Sequence, residues 1–475
     1  MIRCTFTGAV KNVTGSCHLI EVGDRKILLD CGMFQGTEAE EKENALPFPF
    51  NPREIDAVLL SHAHIDHSGR IPLLFGRGYQ GLVYCTHATL ELAEVMLMDS
   101  GSIQEKDAQW AGKKAQRRGE PLPVPLYTQE QAEACLENFV PLDYGELREI
   151  LPGIRVRFQD AGHLLGSAMT EVWLEEEGEE PLKLVYSGDV GTRDKVLVED
   201  PTPIREADAL IMEATYGDRV HPPKEESLAA LLEIIRETGQ RGGNVLIPSF
   251  AMGRTQELIH ALDRFFQTPE GAPLAHMPVY VDSPLATRIT EIFRRNRRYM
   301  DQDARDEATF LAFGNLRFTR SAEESKALNR DPVPKVIIAS GGMCQSGRIL
   351  HHLKHNLWRE ECSLVFVGYQ GEGTLGREIQ DGAGHVRVLE EELAVRCQVH
   401  SLQGFSGHGD QEDLLSWLGG FQPAPEEVFL VHGEAGAKEA LGELARERLG
   451  IPCKVIREPG TVVLKKKREG DGEVE

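Results

Sequence analysis

No uncharged apolar run in this 475-residue sequence approaches the ~20 residues that a membrane-spanning helix requires, so no membrane protein is expected. The opening Met1-Ile2-Arg3-Cys4-Thr5-Phe6 lacks the basic start and apolar core of a secretory signal. C-x-x-C pairs are absent and the nine cysteines are an odd number, which argues against a disulfide frame or a cysteine-based zinc finger. The cysteines read instead as reduced thiols of a cytoplasmic protein. Basic charge is scarce: 52 Lys and Arg against 75 Asp and Glu leave a net charge of −23. A surface that acidic repels nucleic acid unless cations gather locally. Two such gatherings exist, Lys113, Lys114, Arg117, Arg118 and Arg294, Arg295, Arg297, Arg298, and each reads as a solvated helix face. No internal repeat stands out.

What is present is ordinary globular composition, 41% hydrophobic and 27% charged, in a chain too long for one core. Two domains are the first expectation. Short apolar or β-branched runs bounded by turn residues mark strands at 25–30, 55–61, 82–85 and 182–187. Between Leu92 and Leu151 the pattern is helical, punctuated by the rigid Pro121-Leu122-Pro123-Val124-Pro125 connector. After about residue 215 the texture changes. Runs at 244–248, 278–281 and 335–339 are each followed by a Gly/Ser/Pro turn and a helical pattern, and a fourth run lies at 363–367. That βα repetition predicts a parallel sheet with helices on its faces. After about residue 395 isolated strands return, at 428–431 and 462–465, with helices at 410–417 and 437–449. The divisions are therefore 1–214, 215–394, 395–465 and a charged tail, 466–475, expected to be disordered.

The strongest chemical signal is Ser61-His62-Ala63-His64-Ile65-Asp66-His67, directly after an apolar strand. Three imidazoles and a carboxylate within six residues, on a turn leaving a strand, can converge on one or two metal ions. Zinc favours His nitrogen and Asp oxygen. Further candidates recur at strand ends: His163 in Asp160-Ala161-Gly162-His163, Asp189 in Ser187-Gly188-Asp189, and His432 in Val431-His432-Gly433-Glu434. A site assembled at the ends of sheet strands has this signature. Asp30 in Leu28-Leu29-Asp30-Cys31-Gly32 fits the same template, as a hydrogen-bond partner that orients a ligand histidine.

H-x-H-x-D-H followed by a Gly-His, a Gly-Asp and a last His resembles the metallo-β-lactamase superfamily. Within it, Glu213-Ala214-Thr215-Tyr216-Gly217, Phe405-Ser406-Gly407-His408-Gly409-Asp410 and Leu430-Val431-His432-Gly433-Glu434 resemble the three additional motifs of the β-CASP nucleases, the family of the pre-mRNA 3′-cleavage endonuclease subunit and its bacterial and archaeal relatives. The motifs occur in the family's order over nearly the whole chain. Gly409 departs from the Ala that relatives often carry. The resemblance implies an α/β protein, an αββα metallo-β-lactamase sandwich with an inserted parallel-sheet β-CASP domain. It implies two zinc ions per chain: His62, His64 and His163 for one, Asp66, His67 and His432 for the second, and Asp189 bridging both. Two such ions share a hydroxide and stabilise an in-line displacement at phosphorus. His408 is implied as general acid with Glu213 behind it, so that His408, Glu213 and Asp66 are the catalytic residues. The implied activity is RNA phosphodiester hydrolysis on single-stranded or flexible regions, endonucleolytic, 5′-to-3′ exonucleolytic or both. Relatives are monomers or dimers, which leaves a homodimer open.

Three strand-to-helix loops of the insertion are candidate phosphate contacts: Ser249 and Arg254 in the first, Asp282-Ser283-Pro284 in the second, and Ser340, Gly341, Gly342 and Arg348 in the third. For each of them a tight turn is an equally good account. Ser406, beside His408 in sequence, is a further candidate. Gly371-Glu372-Gly373-Thr374-Leu375-Gly376 spells the dinucleotide fingerprint, but Gly382 and Gly384 leave room for only a turn or two of helix where a full crossover helix is needed. No nicotinamide or flavin cofactor is expected. Three rival functions compete with RNA hydrolysis. A DNA-processing nuclease is disfavoured by His432, a histidine that the family's DNA branch usually lacks. An inactive scaffold is disfavoured by the complete ligand set. Small-molecule hydrolysis would leave the insertion and His408 without a task.

Overall fold

The computed structural model describes residues 1–466 apart from 177, 194, 196, 308, 309, 372 and 403. The chain divides into two compact units, Met1–Val220 with His408–Glu475, and His221–Gly407. Most of the tail expected to be disordered, 467–475, lies outside the described residues.

The first unit holds two seven-stranded sheets. One runs Gly460–Val463, Ile2–Phe6, His18–Val22, Arg25–Leu29, Ala57–Leu59, Leu82–Thr86, Phe139–Leu142. The other runs Cys453–Val455, Glu427–Val431, Ala209–Glu213, Leu182–Tyr186, Ala168–Leu174, Ile154–Asp160, Arg148–Leu151. Sequence pattern explains their places. Leu182–Tyr186 and Ala209–Glu213 are buried along their whole length, as central strands with both faces covered must be. Ile154–Asp160 alternates buried and half-buried side chains, the period-2 pattern of a strand with one covered face. Ile20, Ile27 and Leu29 of one sheet share a core with Phe158, Val172, Tyr186 and Phe429 of the other. On its outer side the second sheet packs Met212, Val428 and Leu430 against Leu414, Leu418 and Leu441 of the helices Gln411–Leu418 and Ala435–Leu444. The helix His87–Arg118 follows the strand Leu82–Thr86 of the first sheet, capped by Thr86 at its start and by left-handed Gly119 at its end. The result is the αββα sandwich.

One expectation is corrected here. The helical pattern does not extend to Leu151: helix Gln129–Cys135 gives way to a single 3-10 turn and then to strands Phe139–Leu142 and Arg148–Leu151. Phe139 stays in phase with the preceding helix, which misleads a periodicity reading. Pro141 is tolerated because its strand is the edge of the sheet, where no ladder N–H is needed.

The second unit is built on a six-stranded, wholly parallel sheet in the order Leu316–Phe318, Val279–Asp282, Val336–Ser340, Val245–Ser249, Ser363–Phe366, Gln398–Ser401. The βα alternation predicted it. After the fingerprint-like glycines the helix Leu375–Gln380 has only six residues before the hairpin His385–Val388/Glu391–Ala394, far short of a crossover helix. Among the described residues, no helix is long and apolar enough to cross a membrane.

Candidate metal centre

The candidate ligands lie at the carboxyl ends of strands in the two sheets of the first unit. Ala57–Leu59 leads into His62 and His64, Ile154–Asp160 into His163, Leu182–Tyr186 into Asp189, and Glu427–Val431 into His432. The chain must turn sharply to expose these side chains. Gly188, at φ +52°, precedes Asp189 in the left-handed region that glycine enters freely. Gly32 allows a close approach: a β-carbon there would sit 1.5 Å from the Asp66 carbonyl oxygen. Asp30 and His432 hold left-handed conformations without being glycine, at φ 60° and 46°, backbone strain of the kind functional sites retain.

Two groups of donors converge. In the first, His62 Nε2 and His163 Nε2 stand 3.1 and 3.3 Å from His64 Nδ1. In the second, His67 Nε2 stands 3.2 Å from His432 Nε2, whose ring lies 3.5 Å from Asp66 Oδ2. Asp189 faces both. Its Oδ2 is 3.4 Å from His62 Nε2 and 3.7 Å from His163 Nε2, and its Oδ1 is 3.3 Å from His67 Nε2 and 3.5 Å from His432 Nδ1. The donor atoms of His62, His64, His163 and Asp189 all lie within 4.8 Å of one another, as do those of Asp66, His67 and His432.

This donor set fits zinc. The Asp189 Oδ1 atom is buried and accepts no hydrogen bond, an arrangement costly for an ionised oxygen unless a cation faces it. Imidazole nitrogens crowd to within 3.1–3.3 Å of one another, a spacing suited to ligands that share a cation. Burial pushes His62, His64 and His163 below the ordinary histidine pKa, His64 to about 3, which leaves their lone pairs free for a Lewis acid. Burial also opposes the charge on His67, but Asp189, Asp30 and Asp66 together outweigh it and raise that ring's pKa. Burial would raise the Asp66 carboxyl, and the surrounding histidines hold it low instead.

Supporting contacts fix the candidate ligands. His67 Nδ1 donates to Asp30 Oδ2 at 2.7 Å, and the same oxygen accepts from Tyr186 Oη at 2.7 Å and Ser61 Oγ at 2.8 Å. Asp30 therefore fixes the tautomer that leaves His67 Nε2 as the donor. Lys195 Nζ donates to the carbonyls of Gly162 and His163, which pins the loop that carries His163. Beside the two groups, His408 Nδ1 lies 3.2 Å from each oxygen of the buried Glu213. Glu213 Oε1 accepts from Val190 N at 2.6 Å, and its Oε2 accepts from Thr215 Oγ1 at 2.5 Å. Burial opposes a charge on His408, but Glu213 and Asp189 reverse that effect and raise its pKa.

Sequence reasoning missed Tyr186, Ser61, Thr215 and Lys195. Ser61 adjoins the histidine motif and Thr215 follows Glu213 by two residues, so proximity was a usable signal for both. Tyr186 and Lys195 gain their roles only by folding.

The candidate phosphate contacts all belong to the second unit, and the structure gives several of them other partners. Arg254 pairs with Glu257 at 2.6 Å, one helical turn on. Arg348 pairs with buried Asp282 and donates to Thr319 at 2.9 Å. Ser249 is buried and donates to the carbonyl of Phe250. Gly341, at φ +110°, is required by the turn itself, and Gly342 lies against the ring of Phe250. Ser340 and Ser406 are half-buried.

Comparison with known proteins gives a consistent picture. Residues 10–249 match the metallo-beta-lactamase superfamily, residues 255–379 the Beta-Casp domain, and residues 392–456 the Zn-dependent metallo-hydrolase RNA specificity domain. The chain is 44% identical to the ribonuclease TTHA0252 of Thermus thermophilus, over 93% of this chain and 96% of that one. It is 34% identical to the transcription termination factor FttA of Methanocaldococcus jannaschii, over 91% of this chain and 67% of that one. An RNase J-like protein of the same archaeon is 31% identical, over 91% and 93%. A crystal structure of a protein of unknown function from Enterococcus faecalis V583 shares the fold, with a TM-score of 0.57 and 14% identity over 98% of this chain and all of that one.

Proposed function

The chain belongs to the β-CASP branch of the metallo-β-lactamase superfamily, and from that premise we infer that it is a metal-dependent ribonuclease that hydrolyses RNA phosphodiester bonds with His408 as general acid. The observation that carries this reading is the His408–Glu213 pair set beside two convergent groups of metal donors. Two zinc ions are the proposed cofactor. His62, His64 and His163 would hold one, Asp66, His67 and His432 the other, and the two oxygens of Asp189 would serve both. Bound zinc supplies Lewis-acid polarisation of a phosphate oxygen and a nucleophile competent at neutral pH.

The remaining work falls to the protein. Glu213, held by the Val190 N–H and the Thr215 hydroxyl, takes the proton of His408 Nδ1 as a hydrogen bond and orients the ring. Nε2 is then the atom that delivers a proton to the departing ribose oxygen. The carboxylates of Glu213 and Asp189 keep the ring protonated until that moment. Of the insertion's loops, Gly341 and Gly342 are proposed to approach phosphate through their backbone, with Ser340 and Ser406 as hydroxyl contacts. Arg254, Arg348 and Ser249 stiffen those turns. The match to an RNA-specificity domain and the ribonuclease relatives support RNA over DNA. Nine free cysteines support a cytoplasmic address, and family membership carries the expectation of a monomer or homodimer.

The test is cleavage of one RNA and the DNA of identical sequence, labelled at either end, by zinc-loaded protein, with His408→Ala alongside. RNA-selective cutting that is lost in the variant is expected, and the fragment ladder distinguishes endonucleolytic from exonucleolytic action. No cutting of either strand by zinc-filled protein overturns the reading.

A further inference from the structure

The helix His87–Arg118 does more than cover a sheet. Its first turn is anchored near the metal centre, since the hydroxyls of Thr86 and Thr89 both donate to the carbonyl of Gly166, three residues beyond His163. From there it runs 32 residues, so Trp110 stands about 30 Å along the axis from Thr89. The half nearest that anchor buries Leu92, Ala93, Leu97 and Gly101. The far half is different: Lys106, Asp107, Trp110, Lys113, Lys114, Arg117 and Arg118 are all exposed.

Their spacing places them on one side. Ile103, Asp107, Trp110, Lys114 and Arg117 recur at intervals of three and four residues, a single stripe of an α-helix, with Lys106, Lys113 and Arg118 flanking it. Trp110 is 60% exposed, and the Lys114 ammonium sits 3.6 Å from its ring centroid. Between Ile103 and Arg118 five cations face two acids, in a chain whose net charge is −23. No ion pair engages Lys113, Lys114, Arg117 or Arg118 among the described residues. The other basic cluster behaves oppositely: Arg294 donates to the Leu311 carbonyl and Arg297 to that of Ala304, so these cations serve the fold. An exposed aromatic ring among cations that no carboxylate engages is the pairing that single-stranded nucleic acid uses, with bases stacking and phosphates screened.

We propose that this stripe, Trp110 with Lys113, Lys114, Arg117 and Arg118, is a second contact surface for single-stranded RNA, separate from the metal centre and reached only by strands long enough to span the helix. It rests on the ribonuclease reading above. A base stacks on Trp110 in place of the Lys114 ammonium, which shifts to the adjoining phosphate. Such a surface raises affinity for long strands and leaves the chemical step untouched.

The test uses full-length, zinc-loaded protein in two assays. Binding of a long oligo(U) is followed by fluorescence anisotropy across a salt series in a His408→Ala background, so that the strand stays intact. Trp110→Ala should weaken binding roughly ten-fold, and Trp110→Phe should restore most of it. The quadruple variant Lys113→Gln, Lys114→Gln, Arg117→Gln, Arg118→Gln should flatten the slope of log K against log salt by about 3. In the His408-intact protein the same changes should raise KM for the long strand at constant kcat, and leave cleavage of a tetranucleotide unchanged. All five side chains are exposed, so thermal midpoints should match the parent. Parental affinity and salt slope in both variants would overturn the proposal, while cleavage by the parent would keep the ribonuclease reading intact. Binding through the stripe without any cutting would do the reverse. Unchanged RNA affinity with altered sedimentation would make the stripe a protein interface and sink the proposal.

Discussion

Two buried carboxylates, one in each unit, show what separates a site from a scaffold. Asp282 ends the strand Val279–Asp282 and is fully buried. His352 Nε2 donates to its Oδ2 at 2.6 Å and Ser325 Oγ at 2.6 Å, while Thr319 and Arg348 donate to Oδ1. Asp189 lies three residues beyond the strand Leu182–Tyr186 and faces four imidazoles within 3.7 Å where Asp282 meets one, yet its Oδ1 accepts nothing. The difference lies in what the neighbours offer. Asp282 meets N–H and O–H groups, and its charge is satisfied inside the protein. Asp189 meets ring nitrogens at 3.3–3.7 Å, and the Nδ1 proton of one of those rings, His67, goes to Asp30. One arrangement is closed. The other calls for a cation from outside.

The largest effect should follow from Asp189→Ala. Removing the carboxylate shared by both groups should abolish cleavage and strip bound zinc, measured by metal analysis of the dialysed protein. Normal zinc content with normal turnover would end the contrast with Asp282. His408→Ala should retain both metals and lose about 10²–10⁴-fold in rate, because only the proton transfer is removed. Loss of zinc in that variant would make His408 a ligand.

Asp30→Asn should act more mildly, lowering zinc affinity or activity about 10–100-fold while His67 remains in place. Asp282→Asn should leave zinc content and cleavage of a short RNA close to normal and register in stability. Losing the acceptor of a buried charged cluster costs about 3–5 kcal/mol, readable as a lower thermal midpoint. The pH dependence carries the sign. Burial would raise the Asp282 carboxyl, but the donors led by His352 hold it well below the usual carboxylate range. The unfolded chain therefore binds the proton first, and the stabilisation is full above about pH 4 and declines as pH falls towards the lowered pKa. Acid unfolding curves of wild type and Asp282→Asn should converge as the pH drops. Parallel curves down to the lowest pH would show that Asp282 contributes no such linkage.

The candidate centre was legible because its donors lie in short contiguous motifs, each at the end of an apolar run. His62, His64, Asp66 and His67 need only a strand and a turn to meet. The parallel sheet of the second unit was legible for a similar reason, since βα alternation is written in local periodicity. Arg254 and Arg348 were less so. The partner of Arg254 was available three residues on, at Glu257, and helical spacing alone points to it. The partner of Arg348 was not, because Asp282 lies 66 residues away in sequence. The Phe139 strand was misread because an edge strand that begins in helical phase carries no periodic sign of the change.

By itself the sequence determined which chemistry was possible: the imidazoles and carboxylates, their order along the chain, the family they resemble and the interruption of one domain by another. Those features are local, set by side-chain identity and by spacing within a turn or a strand. Tertiary structure decided how each group is used. It turned Asp30 onto His67, left one oxygen of Asp189 without a donor, closed Asp282 within its own cluster, and set Lys113 and its neighbours beside an exposed tryptophan. A polar group's role depends on which partners arrive within about 3 Å, and partners hundreds of residues apart are brought there only by the packed fold.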